Sequence, residues 1–194
     1  MQSIQTVSEN TIYVGASDRR LAKFENLFPI PRGVSYNAYV ILDEKTALLD
    51  TADASVGAQF LENVAAALDG RKLDYLIVDH MEPDHAAMIE AVLVRWPDLR
   101  LVVNAKTLPM LKMYFPTDSA AIDDALVVKE GDTLDLGKHK LTFVMAPMVH
   151  WPEVMMTFDT TTGTLFSADA FGTFGALEGA LFADEVDFAG KWLD

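Results

Sequence analysis

Residues 79–88 read DHMEPDHAAM, and five of these ten side chains, Asp79, His80, Glu82, Asp84 and His85, can bind a cation. The stretch follows LDYLIVDH (73–80), an apolar run that reads as a strand buried on both faces. It leads into DHAAMIEAVLVRWP (84–97), whose apolar spacing predicts a helix ending at Pro97. A strand, a donor-rich loop and a helix in that order place the loop at the carboxyl end of the strand, where α/β sheets hold their ligands.

The flanking sequence extends this pattern. YNAYVILDE (36–44) and TALLDTA (46–52), separated by the turn-like DEK, predict an antiparallel strand pair. ASVGAQFLENVAAALDG (54–70) carries apolar residues at Val56, Phe60, Leu61, Val64 and Leu68, a helical period closed by Gly70. LRLVVNA (99–105) reads as a strand, and KTLPMLKMYF (106–115) as a helix with Pro109 in its first turn. From Ala125 strands follow strands, through 125–147 and 153–172, and the tail 175–194 has weak helical character. The expectation is an α/β protein with more than one sheet and helices outside, forming one continuous unit over 1–194 with no linker.

Composition narrows the chemistry. The chain has no cysteine, so a metal must sit on nitrogen and oxygen. A formal net charge of −14 argues against nucleic acid and against an anionic membrane surface as partners. No apolar run is long enough to span a membrane, and the N-terminal MQSIQTVSENTIYVG lacks the pattern of a secretory signal, so the cytoplasm is the expected compartment.

Alternate residues of an extended segment point the same way, which lets His80 and Glu82 converge on one ion while Asp84 and His85 turn toward a second. Asp84 has another reading, as the N-cap of the following helix. Of the four histidines, His150 lies in APMVHWPE (146–153), again just after an apolar strand, whereas His139 in LGKHKL (136–141) reads as a solvated residue near a hairpin turn. Asp169 in LFSADAFGTFG (165–175) follows another strand; standing alone it would be a turn aspartate.

HMEPDH resembles the HxExDH signature of the flavodiiron proteins, or A-type flavoproteins. The similarity extends to residues 17–53, to the HWPE at 150–153 and to FSADAFGTFGALEG (166–179). It implies a metallo-β-lactamase-like αββα sandwich, incomplete at its C-terminal end. It also implies a non-haem diiron centre in which His80, Glu82 and His150 hold one iron, Asp84 and His85 the other, and Asp169 bridges them. Related hydrolases carry HxHxDH and bind zinc; a carboxylate in place of one imidazole is a hard anionic donor that favours iron and redox cycling.

Such proteins reduce dioxygen to water or nitric oxide to nitrous oxide, as head-to-tail homodimers fed by a donor such as a rubredoxin or a flavin reductase. Their FMN sits on a C-terminal flavodoxin-like domain and their second iron takes a further histidine, both expected outside this chain, which would not bind FMN alone. Trp151 is then placed either near a partner subunit's FMN or in the core. Asp50 is read as organising a loop beside the site, Tyr36 and Asn37 match the family, and Glu25 receives no role. Two alternatives stand beside this reading: a zinc-dependent hydrolase of the same fold, and a non-catalytic truncated remnant.

Overall fold

The two apolar runs around DEK do form a hairpin: β3 (Tyr39–Leu42) pairs antiparallel with β4 (Thr46–Leu49) in the computed structural model, which describes residues 3–116 and 119–185. The described residues fall into two compact units, one of 3–16 and 36–170, the other of 17–35 and 171–185.

The first unit holds a seven-stranded sheet. β1 (Gln5–Ser8), β2 (Thr11–Tyr13), β3 and β4 pair in that order, each antiparallel to the one before. β5 (Tyr75–Ile77), β6 (Arg100–Asn104) and β7 (Leu126–Val128) continue from β4 in parallel. Each parallel step is made through helix: α1 (Gly57–Leu68), then α2 (Pro83–Ala86) with α3 (Ile89–Arg95), then α4 (Thr107–Tyr114) with α5 (Ser119–Asp123). A second, antiparallel sheet follows as a meander of β8 (Thr133–Asp135), β9 (Lys140–Met145), β10 (Met155–Asp159) and β11 (Thr164–Phe166). Strand alternation decides what lies between the sheets. Ile41, Leu49, Ile77 and Val102 of the first meet Leu141, Phe143, Met155 and Phe166 of the second in one buried cluster.

Local chemistry explains most boundaries. β1 and β2 lie outside the predicted elements; Asn10, at φ 61, makes the tight turn that joins them, a conformation asparagine tolerates. α1 buries Phe60, Val64, Ala67 and Leu68, spaced as one helical face. Its end is set by left-handed Asp69 as well as Gly70.

The helix predicted over 84–97 is broken into α2 and α3. The His85 carbonyl accepts the Thr51 backbone N–H at 2.8 Å and the Thr51 hydroxyl at 2.6 Å, while the Met88 N–H turns to Thr51 Oγ1 at 3.3 Å. Helical bonds are thus exchanged for ties to the β4 loop. Of the tail, residues 175–185 contain only a short 3₁₀ turn, Ala183–Glu185, and 186–194 lie outside the described residues.

His139 is a correction: it is buried, at 2% exposure, not solvated. Its Nδ1 lies 2.8 Å from Asp159 Oδ2, and its backbone N–H donates to Asp43 Oδ2 at 2.6 Å. A hairpin position looks exposed in sequence, but here it closes against the residues 43–45 turn. Burial would raise the carboxyls of Asp43 and Asp159, but both are held below their usual range, Asp43 by backbone N–H groups led by that of His139, and Asp159 by the Thr162 hydroxyl, the His139 ring and the Thr161 N–H. A depressed carboxyl stabilises the fold fully above its unfolded value of about 3.9 and less as pH falls through the lower folded value. Asp159→Asn is accordingly expected to cost about 1.5–3 kcal/mol at pH 7, with the difference from the parent shrinking in melts below about pH 4.

The second unit pairs two distant stretches of chain. Lys23–Phe24 and Phe28–Pro29 form a hairpin through left-handed Glu25 and Asn26. The Phe24 ring packs on Phe174 at 5.1 Å, Arg19 meets Glu178 at 3.4 Å, and Ala176 N–H donates to the Arg32 carbonyl.

Candidate metal centre

Four loops of the first unit deliver the site, each leaving the carboxyl end of a strand. His80, Glu82, Asp84 and His85 follow β5, and Asp50 follows β4. His150 stands in the loop between β9 and β10, and Asp169 follows β11 through a turn closed by the Ala170 N–H to the Ser167 carbonyl. Extended backbone at Glu82 (φ −62, ψ 146) turns its side chain to the side of His80.

All six sequence-predicted donors come together. His80, Glu82, His150 and Asp169 offer ligand atoms within 4.8 Å of one another, and so do Asp84, His85 and Asp169. Asp169 belongs to both groups. Its Oδ1 lies 2.9 Å from His85 Nε2, while its Oδ2 lies 3.2 Å from His150 Nε2 and 3.3 Å from His80 Nε2. Glu82 Oε2 approaches His150 Nε2 at 2.7 Å and His80 Nε2 at 3.1 Å. Among the described residues these are the two groups with metal-ligand geometry.

Capping does not explain Asp84. The helix begins at Pro83, the N-cap is Glu82, and Asp84 lies inside the first turn with its Oδ1 buried and without a hydrogen-bond partner. Trp151 is half-buried and sets its indole edge-on to His80, 5.4 Å between centroids. Asp50 sits behind the site, its Oδ2 2.9 Å from His85 Nδ1. Tyr36 is buried and its carbonyl accepts the Tyr13 hydroxyl, while Glu25 occupies the hairpin turn of the second unit.

Glu153 was not among the sequence candidates. It is 1% exposed, and its Oε1 lies 2.8 Å from His80 Nδ1. Its place at the start of an apolar strand, EVMMTF, and inside the HWPE stretch at 150–153 were its signals in sequence. Asn104, at the end of β6, fastens it by donating to the Glu153 carbonyl at 2.6 Å.

Electrostatics follow from crowding acids and imidazoles into a cluster whose inner members are buried. Burial alone would lower the His80 pKa, but bonds to Asp169, Glu153 and Glu82 outweigh it and carry it to about 11. His85 is likewise raised, burial being overcome by Asp169 and Asp50. Burial, helped by the charges of Asp169 and Glu82, lifts Asp84 to about 6. Asp169 goes the other way, far below the usual carboxylate range, because its bonds to His80 and His85 exceed the effect of burial. Asp79, fully buried beside Asp50, is raised well above the ordinary value.

The donors fit a pair of hard cations. They are nitrogen and oxygen only, three carboxylates match three histidines, and the unpartnered buried Asp84 Oδ1 would cost about 1–3 kcal/mol unless something met it. The raised histidine pKa values say the same thing: protons gather on ring nitrogens where positive charge is favoured.

Comparison with known proteins agrees with this geometry. The model of the family described as ODP family beta lactamase matches residues 34–191, a span that contains every donor. The anaerobic nitric oxide reductase flavorubredoxin of Klebsiella pneumoniae is 38% identical over 183 residues, covering 93% of this chain and 37% of that protein. Among solved structures, the flavodiiron protein from Giardia intestinalis is similar with a TM-score of 0.90 at 28% identity, over 97% of this chain and 45% of that one. Rubredoxin oxygen:oxidoreductase from Desulfovibrio gigas gives 0.90 at 30%, over 96% and 46%. This chain therefore spans less than half the length of these relatives. With the family match covering most of its residues and flavodiiron proteins as its relatives in sequence and fold, the chain belongs to the ODP family of β-lactamase-like domains.

Proposed function

We propose that this domain holds two iron ions, one on His80, Glu82 and His150, the other on Asp84 and His85, with Asp169 shared between them, and that it reduces nitric oxide, dioxygen or both. The observation that carries this reading is the single Asp169 carboxylate, whose oxygens reach Nε2 of His80, His85 and His150 at once. When bound, two ferrous ions supply two electrons, which with two protons convert two nitric oxide molecules to nitrous oxide and water. Dioxygen needs four electrons, so further reducing equivalents must be delivered. We assign that role to an FMN on another domain of the whole protein, with Trp151 facing a partner subunit's flavin in a homodimer. A rubredoxin or a flavin reductase serves as the upstream donor, in the cytoplasm. No helix among the described residues is long and apolar enough to cross a membrane.

The residues of the chain divide the work of the site. His80, Glu82 and His85 are nearly fully buried, with side-chain exposures of 0%, 5% and 7%, whereas His150 and Asp169 are 54% and 35% exposed. The buried members hold charge in place, and a small molecule enters on the side of His150 and Asp169. Glu82, where a zinc hydrolase carries imidazole, adds an anionic oxygen that favours the higher oxidation state of iron.

Anaerobic loading with ferrous iron followed by mixing with nitric oxide tests the reading. The expected result is one nitrous oxide per diiron chain in a single turnover; two irons bound with neither nitric oxide nor, in a parallel run, dioxygen consumed would contradict it. Iron must displace the His80 proton at any pH below about 11, the extra proton of His85, which is also held above the ordinary imidazole range, and the Asp84 proton as well below about 6. Uptake is expected to weaken as pH falls, by about tenfold per unit for each displaced proton and more steeply below about 6. Titration of iron binding between pH 5.5 and 8.5 checks this.

A further inference from the structure

Two buried carboxylates stand behind the donors without ligating: Asp50, 5% exposed, and Glu153, 1% exposed. Each faces the outer nitrogen of a donor histidine, Asp50 Oδ2 at 2.9 Å from His85 Nδ1 and Glu153 Oε1 at 2.8 Å from His80 Nδ1. They use their oxygens differently. Asp50 divides its two, Oδ1 accepting the Asp79 backbone N–H at 2.7 Å while Oδ2 meets His85. Glu153 places one oxygen against two donors, Oε1 accepting the Met81 backbone N–H at 3.0 Å as well as facing His80, and its buried Oε2 has no partner.

We propose that Asp50 and Glu153 are positioning residues that hold the ring protons of His85 and His80 on Nδ1, leaving each Nε2 lone pair for a metal, and that only Asp50 cannot be replaced by its amide. The inference rests on the diiron reading of the same site. A backbone N–H only donates, so it fixes which end of a substituted amide faces it. In Asp50→Asn the amide oxygen must stay against Asp79 N–H, and the NH₂ then points at His85 Nδ1. That ring nitrogen has to become the acceptor, its proton moves to Nε2, and the side facing Asp169 can no longer ligate. In Glu153→Gln the amide oxygen replaces Oε1 and satisfies Met81 and His80 together, so the tautomer survives and only the negative charge is lost. Asp50 sits at φ 55, which asparagine accepts as readily as aspartate, so the first substitution changes chemistry with little backbone strain.

Zinc, which is diamagnetic, serves as the probe on the chain as it stands. The wild type is expected to bind two zinc ions. Glu153→Gln should keep both, with one weakened about tenfold, and Asp50→Asn should bind one of them at least about 100-fold more weakly. In zinc-loaded wild type labelled with nitrogen-15 histidine, His80 and His85 should both show a proton on Nδ1 and metal on Nε2. That spectrum and the Glu153→Gln titration decide the matter even if Asp50→Asn fails to fold. Equal weakening in the two variants, no weakening in either, or zinc on Nδ1 in the wild type overturns the inference while leaving the metal centre intact. A wild type that takes up no zinc or iron overturns both.

Discussion

Asp169→Ala is expected to strip the protein of both metal ions at once. Asp169 is the one donor common to the two groups, so its loss removes a ligand from each and leaves the Asp84 and His85 group with only two donors. Removing partners that merely orient ligands already weakens metal sites by 10–100-fold, so losing a shared anionic ligand should weaken each ion by at least about 100-fold. Metal analysis after anaerobic loading and desalting should then read close to zero per chain. His85→Ala belongs to one group only and should retain one ion. A variant lacking Asp169 that still holds two ions, or a His85→Ala variant as empty as Asp169→Ala, would show that the carboxylate is not shared.

Phe143→Ala should produce the largest loss of stability. Phe143 is fully buried in the cluster where the two sheets meet, with Leu141, Met155 and Phe166 around it. Truncation removes the transfer energy of the ring and leaves a cavity that strands on two sheets cannot collapse to fill. Phenylalanine-to-alanine changes in such cores cost about 3–5 kcal/mol. Against a total of about 5–15 kcal/mol for a typical domain, that is a large share. For a domain near this size it corresponds to a fall in Tm of about 6–20 °C. Calorimetry decides the point: a loss under about 1 kcal/mol would mean that the sheets do not depend on each other there.

The side chains that gather at the candidate site were legible because their types are rare in this chain and their spacing is short. Two of the four histidines stand within one loop, and a carboxylate between them is explained by neither packing nor capping. The strand and helix pattern from Tyr36 onward was legible for the same reason, since apolar period reports burial directly. What escaped depended on distant partners. Glu153 looks like any acidic residue until β9, β10 and β6 bring it behind His80, and the partner is 73 residues away. The break between α2 and α3 is made by Thr51, which no helical pattern in residues 84–97 contains. His139 sits in a polar hairpin and reads as exposed, yet Asp43, 96 residues upstream, draws its backbone inward. Local pattern reveals which residues are chemically unusual; which carboxylate orients which ring is decided by sheet order.

The second unit, assembled from residues 17–35 and 171–185, also carries a lesson about timing. Its first segment leaves a ribosome 136 residues ahead of the second (171 minus 35). At the about 5–20 residues per second of protein synthesis, Phe24 waits about 8–30 seconds before Phe174 emerges. During that interval the Phe24 ring has no aromatic companion to pack against. A nascent chain of this protein therefore offers a chaperone the bare Phe24 ring well before the candidate metal-site residues of 80–169 are complete.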